Sequence, residues 1–129
     1  MGTKGDYVEN SLESTETTEK ELGTITISQK GGRIIGVYGI ATIETATAGE
    51  GTAAIFRLSS DDIDISPAKF PAQVIYGPAG TLADNAHEFT PKIIPVNIPV
   101  KGKAEIKCHM KLTKAQTGDC RGLVGIIYE

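Results

Sequence analysis

Tryptophan is absent from this 129-residue chain, and four tyrosines and three phenylalanines are all its aromatics. The core must therefore be aliphatic, and a sugar platform, which generally exploits exposed aromatic rings, has little to work with. Only His87 and His109 are available as imidazole bases. No stretch approaches the roughly 20 apolar residues that a membrane helix requires. The start, Met1-Gly2-Thr3-Lys4-Gly5-Asp6, lacks the apolar core of a signal peptide. The chain is thus expected to be made without classical secretion, although a mature form trimmed of its leader would read the same way.

What is present is turn residues and β-formers. Fifteen glycines and six prolines accompany apolar residues that are largely Ile, Val and Ala, a balance that favours a sheet protein over a helical bundle. The length suits one domain with a modest core.

Charge is uneven along the chain. Residues 1–21 hold six acids (Asp6, Glu9, Glu13, Glu16, Glu19 and Glu21) against Lys4 and Lys20, whereas the remainder holds ten acids and eleven bases. Ser, Thr and Glu crowd the run S-L-E-S-T-E-T-T-E-K-E, which has too little apolar surface to offset the entropy of ordering it. Residues 1–21 are therefore expected to form a flexible acidic arm, and residues 22–129 the folded body. Such an arm is either a bare terminus or a segment that orders against a neighbouring subunit; its sign is wrong for phosphate, so no direct contact with nucleic acid is expected.

In the body, strands follow quickly. Ala104 to Leu112 alternates Ala104, Ile106, Cys108, Met110 and Leu112 against Glu105, Lys107, His109 and Lys111, one dry face and one wet. Ile25 and Ile27 alternate with Thr24, Thr26 and Ser28. Arg33 to Thr45 has no polar face, so it is buried on both sides or buries one face against a partner. Within it, Gly36 and Gly39 allow close approach or a bulge. Further strands are expected at Thr52 to Ser59, in a hairpin with the preceding strand, at Asp61 to Ile65, at Ala72 to Tyr76, at Pro91 to Val100 and at Arg121 to Glu129. Residues 77–89 read as a loop with one helical turn. About eight strands and no long helix predict an all-β, two-layer antiparallel β-sandwich, a jelly roll with an N-terminal arm.

A hairpin of Gly102 to Leu112 with Cys120 to Tyr128 would set Cys108 opposite about Val124 and Cys120 opposite about Leu112. Free thiols are then favoured, while a shifted register would still permit a bridge.

Candidates for chemistry are sparse. Asp61, Asp62 and Asp64 suit a hard cation, although the EF-hand pattern is missing and turn residues at a strand end are the better explanation. Asp84, His87 and Glu88 share the irregular loop and are the sole nucleus for an enzyme, set against a plain loop. His109 lies on a wet face as a solvated residue. Gly31-Gly32 and Gly49-Glu50-Gly51 match no phosphate or dinucleotide loop. Lys101, Lys103, Lys107, Lys111 and Lys114 form a basic ribbon without the interleaved aromatics of a single-strand nucleic-acid platform. No cofactor is expected.

The order of an arm, short strands, P-K-I-I-P-V-N-I-P-V-K-G-K-A-E-I-K-C and a terminal L-V-G-I-I-Y resembles the small single jelly-roll coat and capsid-decoration proteins of viruses. The resemblance implies a non-enzymatic structural subunit that self-assembles or decorates a shell, with copies of itself or other shell proteins as partners and the virion as its place. Leu22, Ile25, Ile27, Ile34, Tyr38 and Ile40 are then the expected subunit interface, with Leu22 to Ile27 adding a strand to a neighbour's sheet. The alternative is a β-sandwich module that binds carbohydrate or peptide.

Overall fold

The structure, a computed structural model, describes residues 3–12, 17–28, 32–44, 52–77, 91–116 and 118–129. Among these residues it is all strand and connection. The elements are β1 (Lys4–Leu12), β2 (Lys20–Ser28), β3 (Gly32–Glu44), β4 (Ala54–Ser59), β5 (Lys69–Pro71), β6 (Gln73–Gly77), β7 (Ile94–Val100), β8 (Lys103–Leu112) and β9 (Cys120–Tyr128). Two sheets pack face to face, as expected for a sandwich. One runs β1-β9-β3, with β7 pairing the first half of β3 and β6 the second; the other runs β2-β8-β4-β5. All pairings are antiparallel except β3 with β6.

The pairings have a simple order. β1 pairs β9, β2 pairs β8, β3 pairs β7 and β4 pairs β5, so the chain is doubled back on itself about the turn between Ser59 and Lys69. Successive pairs fall alternately in the two sheets. β3 and β4 do not form the expected hairpin, nor do β8 and β9, because the two strands of each pair lie in different sheets. Gln116, 2% exposed, sits between β8 and β9, where its Nε2 donates to the carbonyl of Ala115 at 2.9 Å.

β8 shows why the layers adhere. Its alternation puts Ala104, Ile106, Cys108, Met110 and Leu112 into the core, each no more than 1% exposed. Burying a large aliphatic or thioether side chain in this way contributes about 1.5–3 kcal/mol. Across the gap, β9 offers Cys120, Val124 and Ile126, and β3 offers Ile34, Val37, Ala41 and Ile43. Phe56 of β4 fills the centre and stacks on Phe70 of β5 at 5.3 Å between ring centroids.

Four expectations are corrected here. Residues 4–12 are not a free arm: they form β1, paired with β9 residue for residue from Lys4↔Tyr128 to Leu12↔Cys120. Backbone pairing orders this polar segment, anchored by Val8 and Leu12, its inward apolar side chains. The expected boundary between residues 21 and 22 falls inside β2. The interface assigned to Leu22, Ile25, Ile27 and Ile34 is also corrected, since all four are at most 4% exposed within the single chain. A bulge between Ile34 and Gly36 reverses the phase of β3, so Ile34 faces inward with Val37 while Tyr38 and Ile40 face outward. Finally, residues 61–65 are irregular, with bends at 61–63, rather than a strand.

Candidate interaction surface

With the core closed by inward residues, the outward faces of the two sheets differ in character. On the β1-β9-β3 sheet, Tyr7, Tyr38, Ile40, Leu123 and Ile127 share the face that points away from the core. Tyr7 is 59% exposed and Ile93, which precedes β7, is 47% exposed. Tyr38, Leu123 and Ile127 are partly buried, and Ile40 packs with Ile75 of β6 in a second small apolar cluster. Thr42, opposite Ile75, is 8% exposed on the same face.

Glycine shapes this face. A Cβ at Gly125 would collide with the hydroxyl end of the Tyr38 ring, which lies over bare backbone of β9 between β3 and β1. At Gly36, a Cβ would meet Ile93 Cγ2 at 2.7 Å, which lets Ile93 fold down on the sheet. Burial first, and then the neighbouring Tyr7 and Asp6, hold the Tyr38 hydroxyl above the ordinary tyrosine range. The edges of the face carry both signs of charge. Arg121 donates to Glu9 at 2.9 Å, and Arg33 meets Glu129 at 3.0 Å.

The outward face of the β2-β8-β4-β5 sheet is polar. Lys103, Glu105, Lys107, His109 and Lys111 of β8 alternate with the core residues. Arg57 of β4 stands opposite His109, and its Nε donates to both oxygens of Glu19 at 3.0 Å. That hydrogen-bonded pairing holds the Glu19 carboxyl below the usual carboxylate range and raises Arg57. His109 departs from expectation: it is half-buried between Glu21 and Arg57, and its Nδ1 is buried with no partner.

The acidic candidates among the described residues flank open clefts. Asp61, Asp62 and Asp64 flank an open cleft of about 350 Å³ shared with Pro99 and Lys101. A smaller one of about 210 Å³ runs from Asp61 and Asp62 to Glu105 and Lys107. Asp62 is occupied in a turn, its Oδ2 accepting the backbone N–H of Glu105 at 2.9 Å. Among the described residues, no three of His, Cys, Asp or Glu converge to hold a metal ion. Asp84, His87 and Glu88 lie outside the described residues.

Both cysteines are free and buried. The reason differs from the expected one, since Cys108 and Cys120 sit in opposite sheets rather than in one hairpin. Burial pushes the Cys108 thiol up to about 12.

Of the residues expected at a subunit interface, Tyr38 and Ile40 point to this outward face, Tyr38 partly exposed and Ile40 buried against Ile75. Sequence reasoning missed Tyr7, Ile93, Leu123 and Ile127; the last strand, apolar on both faces, carried a signal for Leu123 and Ile127 alone. Among the described residues, no helix is long and apolar enough to cross a membrane. No protein-family model matches this sequence, and no curated protein matches it.

Proposed function

We propose that this chain is a non-enzymatic structural protein that assembles with copies of itself, as a coat subunit or decoration of a viral shell. The observation that carries the reading is the outward apolar face of the β1-β9-β3 sheet: Tyr7 and Ile93 are exposed although the core is complete without them. A contiguous apolar patch on an otherwise closed sandwich marks an interaction surface. A second copy suits it because both rims carry acid and base, Glu9 with Arg121 and Glu129 with Arg33, so that a two-fold related face meets opposite charge.

The strand order supports the shell reading. We read the doubled-back chain, with β1-β9-β3-β7 facing β2-β8-β4-β5 and β6 as an addition, as suited to the jelly roll of such shells. Fold alone does not assign function, so the face carries the proposal and the topology accompanies it.

Light scattering on wild type and Ile93→Lys across a concentration series tests it. The expected result is a species larger than a monomer that grows with concentration and is weakened by the lysine. A monomer at every concentration would favour the ligand-binding module instead, with Tyr7 and Tyr38 as its aromatic surface.

A further inference from the structure

The sandwich has four sheet edges, and most of them are blocked. β7 carries Pro95 and Pro99, and β6, on the same side of β3, is five residues long. β5 has three residues and ends in Pro71, and β2 is broken by the irregularity between Glu21 and Gly23. Short strands, prolines and bulges all deter pairing with another chain. β1 has none of these: it runs nine residues in unbroken register with β9, without proline.

Its open side is protected differently. Arg33 and Glu129 exchange both backbone hydrogen bonds, and alternation along β9 then directs Val124, Ile126 and Tyr128 toward β1. Their partners Lys4, Asp6 and Val8 bond to β9, leaving Gly5, Tyr7, Glu9 and Ser11 with backbone groups facing outward. Two of those donors are covered by the preceding side chain. Tyr7 N–H donates to Asp6 Oδ1 at 2.8 Å, and Ser11 N–H donates to Asn10 Oδ1 at 2.9 Å. Unlike a proline, each cover lifts off by side-chain rotation.

We propose that the open edge of β1 is a strand-pairing surface for β1 of a second copy, gated by Asp6 and Asn10. The inference rests on the self-assembly reading and gives it a geometry. Antiparallel pairing about a two-fold axis at Val8 sets Val8 against Val8, Tyr7 against Glu9, Asp6 against Asn10 and Lys4 against Leu12. No like charges then stand opposite, which a register centred on Asp6 or Glu9 could not achieve. The released Asp6 and Asn10 side chains meet each other, and the two β1-β9-β3 sheets become one, with both apolar faces on the same side.

A single thiol tests the register. Val8 opposite itself is a non-hydrogen-bonded pair, whose short Cα separation suits a disulfide. In Val8→Cys, mild oxidation should give a covalent dimer on a non-reducing gel, because Cys108 and Cys120 are buried. Adding Asp6→Ala and Asn10→Ala should tighten dimerisation about tenfold, as two local hydrogen bonds no longer compete. Glu9→Pro, which removes an outward donor and leaves the β9 ladder intact, should abolish the cross-link while its melting transition shows a folded protein. A Val8→Cys protein that stays monomeric after oxidation even without the two caps, or a cross-link indifferent to Glu9→Pro, overturns the proposal.

The two readings fail separately. Mass that responds to Ile93→Lys without a Val8→Cys cross-link leaves the face and removes the edge; a cross-link with mass indifferent to Ile93→Lys does the reverse.

Discussion

The ring of Tyr38 occupies the space where Gly125 lacks a side chain, and the same relation holds inside the core between Phe56 and Gly39. The two glycines nevertheless differ in what surrounds them. Phe56 is fully buried, while Tyr38 stands on the outward face and is partly exposed. Gly39→Ala should therefore destabilise by about 1–3 kcal/mol or more, since the phenyl ring has nowhere to go. Gly125→Ala should cost less, because the tyrosine can swing into solvent. Urea melts of Gly125→Ala, Tyr38→Ala and the double variant check this: the alanine at 125 should cost nearly nothing once Tyr38 is gone, and equal costs in both backgrounds would contradict the packing described.

Acid should weaken the fold through one identifiable pair. Glu19 has its carboxyl held below the ordinary value, chiefly by the hydrogen bonds from Arg57. Its contribution is present above the unfolded carboxylate range and is lost as pH falls through the lowered folded value. The melting temperature of wild type should thus drop in acid more steeply than that of Arg57→Ala. The effect is small because the pair is partly exposed, with side chains 28% and 30% accessible.

Alkali should weaken it for the opposite reason. Cys108 is raised by burial to about 12 from 9.0. Tyr38 is raised as well, first by burial. Both groups keep their protons longer folded than unfolded, so stability is full below the unfolded values and falls as pH climbs above about 9 toward the folded ones. Cys108→Ala should flatten this alkaline decline while lowering stability at neutral pH by about 1 kcal/mol for the lost packing. A thiol reagent at neutral pH should find no fast-reacting cysteine in the folded protein.

How much of this was legible in the residues varies by element. β8 could be read directly, because Ala104 to Leu112 alternates without interruption and the sheet is half wet. β3 could not: both its phases are apolar, so alternation alone gives no hint that the bulge after Ile34 sends Ile34 inward and Tyr38 outward. Gly36 and Gly39 did signal close approach, and Gly39 lies under Phe56. β1 was hidden because Val8 and Leu12 are its inward apolar residues, and a strand held mainly by backbone pairing leaves little mark on side-chain pattern. Sheet crossings are also silent, since the turn residues of Thr113 to Asp119 serve a crossing as readily as a hairpin. For the surface, composition excluded much chemistry, but which apolar residues stay outside depends on register, and register is a property of the folded sheet.

The central claim is that the outward face of the β1-β9-β3 sheet joins copies of this chain. Mass by light scattering, for wild type and Ile93→Lys over the same concentration series, tests it most directly. Wild type should form a discrete species larger than a monomer, and the lysine variant should shift the onset at least about tenfold higher in concentration, the equivalent of about 1.4 kcal/mol. Monomers of both proteins throughout, or identical assembly by both, would contradict it.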